Sequence, residues 1–196
     1  LTGTPNYPEG KVFKDFRLSP ERFDVYEGAK IVRVPIIPRG SRKITLSLNY
    51  LSYALSAITI GAWKLRGKSF DVIFVIQLSP VTVGIPGVFF RWLKRAPMAM
   101  WVLDLWPESL VSVGAIQSKW LVKMVRILVN AIYKRCELIL AQSRSFVLRI
   151  HETANAPWLR VKYFPSWAEV IYEGGNNDSL AANISNHHEC FTIMFA

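Results

Sequence analysis

The chain has 196 residues, of which 51% are apolar and 19% charged, with a formal net charge of +10. That composition excludes a disordered tail or a coiled-coil rod, and the length holds one good core, or one domain with part of another. Two cysteines, Cys136 and Cys190, exclude a disulfide framework and fit a reducing compartment.

The charge is concentrated. Residues 28–136 carry sixteen Lys/Arg against three acids, a net of +13, and the remainder carries −3. A basic block in an apolar chain points to an anionic partner (nucleic acid, lipid surface or phosphorylated ligand) or to a basic surface kept for solubility. No signal peptide is visible, and the weakly polar stretch Tyr50 to Trp63 is too short to span a bilayer. The opening at Leu1 and the strand-like end Phe191 to Ala196 read as cut points of a longer chain.

Turn residues dominate positions 4–30, which read as a long loop. Ile31 to Ile37 is β-branched and reads as a strand, and Arg42 to Arg66 turns helical. Val72 to Ile76 is an unbroken apolar run, as in a strand buried on both faces. Ser79-Pro80 opens a helix to about Lys94, continuing through Pro86-Gly87. Pro97 to Leu103 is a strand ending at Asp104. Lys119 to Arg135 is a basic amphipathic helix, with Lys119, Lys123, Arg126, Asn130 and Lys134 along one side. Leu138 to Ala141 is a strand, Ser143 caps a helix to about Thr153, and Val161 to Phe164 is a further strand closed by Pro165. Residues 171–190 read as a linker, and 191–196 as the first strand of another domain. Strands alternating with helices predict a Rossmann-like α/β domain over residues 1–170, a parallel sheet with helices on both faces.

In open α/β sheets ligands gather at the carboxyl ends of the strands. That rule selects the loop after Gly3, then Gln77 to Pro80, Asp104 to Glu108, and Pro165 to Trp167. Asp104-Leu105-Trp106-Pro107-Glu108 is the sharpest of these. A carboxylate there can position or deprotonate a hydroxyl, and Trp106 can stack on a sugar or base. The alternative is that Asp104 caps the turn of Ser109 and Trp106 belongs to the core. No GxGxxG, Walker A or GxSxG motif is present, which argues against nucleotide hydrolysis and esterase chemistry. His187-His188-Glu189-Cys190 lacks a second ligand pair, so no metal is expected. Cys136 reads as a small buried hydrophobe. A nucleic-acid reading rests on charge alone, without a recognition motif, and no nucleic acid is expected.

Taken in order, Thr2 to Lys11 with its Asn6-Tyr7-Pro8, Leu48 to Tyr53, Gln77 to Pro80, Asp104 to Leu110 and Tyr163 to Glu169 resemble bacterial GT-B glycosyltransferases of family 4. The subgroup acts in colanic acid and O-antigen assembly and includes L-fucosamine transferases. The likeness covers most of residues 1–170. It implies the N-terminal, acceptor-side half of a GT-B fold lacking its first strand and helix, with 191–196 beginning an absent donor-binding domain.

The activity implied is retaining, metal-independent transfer of a sugar from a nucleotide diphosphate donor to a lipid-linked saccharide, at the inner face of the plasma membrane. Asp104 and Glu108 would be catalytic, and Asn6, Tyr7, Gln77, Ser79, Pro80, Trp106 and Ser166 would bind substrate. Two departures stand out: Leu103 occupies a position that is often histidine in the family, and Pro165-Ser166 replaces a usual Pro-Asn. The competing reading is a non-catalytic acceptor-binding or membrane-recruiting subunit.

The helix from Arg42 to Arg66 adds a surface expectation. At about 100° per residue, Ile44, Leu48, Leu51, Leu55, Ile58, Ala62 and Leu65 form one stripe, predicted to pack on the sheet. Leu46, Tyr50, Tyr53, Ala57 and Ile60 form a second, for a neighbouring helix or an anionic membrane surface. Lys64, Arg66 and Lys68, with Arg42 and Lys43, bracket the helix as partners for such a leaflet.

Overall fold

Four short apolar runs pair side by side to form the centre of the molecule. A computed structural model describes residues 1–7, 9–40, 42–154 and 160–166. Leu1–Pro165 form one compact unit; of the second, Ser166–Ala196, only Ser166 is described. The predicted linker, the strand over 191–196, Trp167 and the His187 to Cys190 group lie outside the described residues.

In chain order, β1 (Thr2–Gly3) is followed by α1 (Lys14–Leu18) and a 3-10 turn at Pro20–Phe23. Then come β2 (Val25–Tyr26), β3 (Ala29–Lys30) and β4 (Arg33–Val34). The loop expected over 4–30 thus contains a hairpin. Its two linking residues, Glu27 (φ 47°) and Gly28 (φ 81°), both take the left-handed backbone that a tight two-residue hairpin loop needs. The strand expected over Ile31 to Ile37 shrinks to two residues. Pro35 has no N–H to give the ladder, and pairing stops before it.

α2 (Lys43–Ser56) runs through a π turn (Ala57–Gly61) into α3 (Ala62–Lys64). β5 (Ile73–Gln77), α4 (Gly84–Lys94), β6 (Met98–Val102), α5 (Glu108–Ser112), α6 (Lys119–Tyr133), β7 (Leu138–Ala141), α7 (Arg144–Ala154) and β8 (Val161–Tyr163) follow. α4 tolerates Pro86 because the missing N–H falls in the first turn, where no intrahelical acceptor exists. Gly87 is required by packing: a Cβ there would stand 2.6 Å from Val75 Cγ2. Ser143 caps α7 as expected, its Oγ accepting from the Phe146 N–H at 3.2 Å.

β5, β6, β7 and β8 form a parallel sheet in that order, with Ile73 opposite Met98 and Met100 opposite Ile139, itself opposite Val161. β1 and β4 form a separate parallel pair. The domain is therefore α/β, with a four-stranded parallel sheet flanked by helices and compatible with a Rossmann-like fold.

The core lies on one face of that sheet. Val75, Met98, Met100, Val102, Ile139 and Ala141 pack there against Val129, Ile132 and Tyr133 of α6 and Ile150 and Ala154 of α7. Helices on both faces were expected. Among the described residues the opposite face is partly open: Phe74 is 49% exposed and Ile76 51%. β5 is accordingly buried on one face, and its residues alternate.

Candidate functional site

Each parallel strand delivers its last residue to the same edge, and there the predicted site residues are found. At the end of β5, Gln77 is fully buried, and its Nε2 donates to the Asp104 carbonyl at 2.8 Å. Its backbone carbonyl accepts from the Leu103 N–H at 3.0 Å. Gln77 thus ties the ends of β5 and β6 together from inside the core, away from any position where it could bind substrate. Its Oε1 has no partner among the described residues.

Past β6, the Asp104 carboxylate is occupied on both oxygens. Oδ2 accepts from the Trp106 indole N–H at 2.9 Å, and Oδ1 accepts from the Ser109 hydroxyl. Ser109 Oγ also lies 2.7 Å from the Leu105 carbonyl. Trp106 is buried in the core and offers no open ring face for stacking. The turn-capping alternative for Asp104 and Trp106 describes this geometry: the carboxylate braces the turn into α5. That alternative already pairs Asp104 with the turn of Ser109; the bond to the Trp106 indole is the part it does not name.

Glu108 differs. Its side chain is partly exposed and faces Arg126 of α6 at 3.9 Å. Both line a shallow cleft of about 710 Å³ with Pro107, Ser112, Gln117 and Lys119. The hydroxyl of Tyr133 on α6 is buried without a partner among the described residues. Burial pushes its pKa up strongly, and the nearby Cys136, Glu108 and Asp104 add to the shift. Cys136 is buried, and burial pushes its thiol up to about 12, so it is an inert core residue as expected.

Asn6, Tyr7, Ser79 and Pro80 meet on a second, larger cleft of about 800 Å³. Asn6 is nearly buried, and its carbonyl accepts from the Gly10 N–H at 2.7 Å, closing the loop. Tyr7 is exposed, with the Arg39 guanidinium 5.2 Å from its ring centre. The structure therefore divides the predicted site. Asn6, Tyr7, Ser79 and Pro80 share one cleft, and Glu108 lies on another. Asp104 and Trp106 line neither, and Ser166 is exposed in the second unit.

Neither a protein-family model nor a curated protein matches this chain. The chemistry is therefore argued from the residues themselves. Among the described residues, no three His, Cys, Asp or Glu side chains are grouped to hold a metal.

Over its first half the long helix reverses the two stripes assigned to it, whereas Leu65 of the first stripe is buried as predicted and Ile58 and Ala62 are half-buried. Ile44 is 74% exposed and Leu55 65%, and Leu48 and Leu51 are exposed between them. Leu46, Tyr50 and Tyr53 are half-buried instead. Tyr50 packs on the core, and the Tyr53 hydroxyl reaches the Leu1 carbonyl at 3.5 Å, with burial raising its pKa. Size explains the reversal. Ala54, Ala57 and Gly61 lie at the inward surface and allow close approach; a Cβ on Gly61 would sit 3.0 Å from Leu1 Cδ2.

Among the bracketing cations, Lys64 donates to the Arg33 carbonyl at 2.9 Å, and Arg66 stacks on Trp63 at 4.3 Å. Lys68 is exposed. As a helix, the stretch Ile44–Lys64 is longer than the segment first considered. By length and composition it could cross a membrane, and 17% of its apolar window is buried in the domain.

Proposed function

We propose that the chain is the acceptor-side domain of a retaining, metal-independent GT-B glycosyltransferase of family 4. On this reading, the complete enzyme moves a sugar from a nucleotide diphosphate to a lipid-linked saccharide during cell-surface polysaccharide assembly. The observation that carries the reading is the order of Asn6-Tyr7, Gln77 to Pro80 and Asp104 to Leu110, each falling just past a parallel strand. Glu108, a cleft-lining carboxylate 3.9 Å from Arg126, is the one placed to meet an acceptor hydroxyl, with Arg126 and Lys119 beside it for acceptor phosphate. Asp104 is a positioning residue that holds the turn carrying Glu108.

The enzyme would work at the inner face of the plasma membrane. The exposed stripe Ile44, Leu48, Leu51 and Leu55, with Arg42, Arg66 and Lys68 near its ends, supports contact with an anionic leaflet. The same stripe supports the competing reading of a non-catalytic recruiting subunit. One preparation separates the two: the chain expressed with the residues encoded on either side of it. Transfer of radiolabelled sugar from uridine or guanosine diphosphate donors onto isoprenyl-pyrophosphate saccharides, with sedimentation on anionic vesicles, is the expected result. Sedimentation without transfer would leave the recruiting subunit, and neither would end both readings.

A further inference from the structure

Two stretches of chain meet past the carboxyl ends of β1 and β4, and glycines let them touch. Gly10 takes a left-handed backbone (φ 74°), and a Cβ there would collide with the Arg39 carbonyl oxygen. Its N–H is held by the Asn6 carbonyl at 2.7 Å. The second stretch is tied to α2 in turn. The Ile37 N–H donates to Ser52 Oγ at 2.9 Å, and a Cβ on Gly40 would collide with Thr45 Oγ1. The backbone of Arg39 therefore lies against the Tyr7 loop and close to α2 at once, where residues with a Cβ on either side would hold it off.

The side chain presented there is a guanidinium without a counter-charge. Arg33, Arg91, Arg126 and Arg149 each face a carboxylate. Among the described residues no carboxylate, Glu9 of the Tyr7 loop included, forms an ion pair with Arg39. Arg39 is half-buried and lies over the exposed ring of Tyr7, 5.2 Å from the ring centre. The ring covers one face of the planar group and leaves the N–H donors at its edge. A fork held in this way loses little rotamer freedom on receiving the paired oxygens of a carboxylate or phosphate.

The surroundings narrow the class of ligand. Tyr7 and Phe13 are exposed aromatic rings on the same cleft, and Ser79, also exposed, adds a hydroxyl to its lining. Such rings cover the C–H faces of a sugar, while a hydroxyl pairs with sugar hydroxyls. A bare oxyanion would leave the rings unused, and a neutral sugar would leave the guanidinium unpaired. Lys11 and Arg42, exposed just beyond Gly10 and Gly40, add positive potential that favours the same charge.

We propose that Arg39, stacked on Tyr7, is the specificity-determining residue of a saccharide subsite, and that the sugar it selects carries a carboxylate or a phosphate. This deepens the acceptor reading of the cleft and rests on it for the saccharide. Binding is nevertheless read without any transfer, so the two can fail separately.

The test is a titration of the whole chain, labelled with nitrogen-15, followed at the Arg39 Nε–H and the Tyr7 amide. The probes are glucuronic acid, glucose 6-phosphate, glucose and inorganic phosphate, all at one ionic strength. The two acidic sugars should shift both signals and bind at least about tenfold more tightly than glucose or inorganic phosphate. Arg39→Gln should erase that preference without moving the melting temperature. Arg39→Lys, which keeps the charge but not the fork, should retain only part of it. Absence of binding by the acidic sugars, equal binding of glucose, or a preference that survives Arg39→Gln overturns the proposal. Inorganic phosphate binding as tightly as glucose 6-phosphate also overturns it, because that marks a plain anion site. Binding of the acidic sugars through Arg39, with no transfer by the chain expressed with its flanking residues, supports the subsite and removes the enzyme reading.

Discussion

The sheet of β5 to β8 and the segment from β1 to β4 both contain parallel pairings, the second with an antiparallel hairpin inserted, yet they are held by different means. The sheet buries large apolar side chains, and Met98, Met100, Val102 and Ile139 are fully sequestered. The segment before α2 has two-residue strands and is held by polar threads. The Ile37 N–H donates to Ser52 Oγ at 2.9 Å, the Lys64 ammonium to the Arg33 carbonyl at 2.9 Å, and the Arg33 guanidinium to the Phe23 carbonyl at 2.5 Å. Burial of apolar area grows with every residue added, whereas each such bond contributes only about 1 kcal/mol net. The first region should therefore resist opening far longer than the second.

The largest expected effect tests that difference. Ile139→Ala should cost about 2–5 kcal/mol in denaturant unfolding, from lost burial and the cavity left behind. Ser52→Ala should cost about 1 kcal/mol and speed amide exchange chiefly around Ile37. If Ser52→Ala lowers global stability as much as Ile139→Ala, the two regions are one cooperative unit and the contrast fails.

A smaller effect is expected at the turn between them and the candidate site. Asp104→Asn presents an amide where two donors, the Trp106 indole and the Ser109 hydroxyl, need acceptors. It should cost about 1–3 kcal/mol, because one donor loses its partner. If Asp104 were the catalytic residue that the sequence favours, that substitution would leave stability almost unchanged; the turn-capping alternative requires the loss. In the complete enzyme it should also slow transfer at least about tenfold, equivalent to 1.4 kcal/mol. Ser109→Ala separates the two roles: it should lower the melting temperature while leaving the Glu108 side chain in place. Unchanged melting in Asp104→Asn would show that the carboxylate is not the brace.

The same contrast sets how much of the molecule could be read from its residues. β7 was legible to the residue, and β5, β6, β8, α6 and α7 to within one or two, because uninterrupted apolar runs and a strong helical period leave few alternatives. The two-residue strands were not legible. Their partners are backbone groups and side-chain atoms tens of residues away, and no local pattern records them. On α2 the period revealed both apolar stripes but not which faced inward, and the small residues Ala54, Ala57 and Gly61 decided it. For the candidate site, position at strand ends was legible, but occupancy was not. Gln77 and Trp106 were expected on substrate and are buried, while Glu108 is half-buried on a cleft and Tyr7 is exposed.

The smallest expected effect concerns an ion-pair tie, which is forked and hydrogen-bonded at the sheet and a looser 3.7 Å Arg33–Asp24 contact in the polar segment. Glu137, just before β7, receives Arg91 of α4 in a forked pair, with Nε 3.0 and 3.3 Å from its two oxygens, and its Oε2 accepts from the Met98 N–H at 2.7 Å. It therefore joins α4, β6 and the start of β7. The hydrogen bond from Arg91 is the main cause holding its carboxyl below the ordinary range, with the Met98 N–H adding to it. A carboxyl whose folded pKa lies below its unfolded one binds fewer protons when folded, so its contribution is present above the unfolded value. That contribution is lost as pH falls from about 4.3 through the folded value. Both side chains are some 40% exposed, which limits the pair to about 1 kcal/mol or less. Glu137→Gln keeps an oxygen for Met98 but removes the charge. It should be slightly less stable than the parent at pH 7, with the two unfolding curves converging in acid. Curves that stay parallel down to pH 3 would show that the forked pair contributes nothing, leaving the sheet held by apolar burial alone.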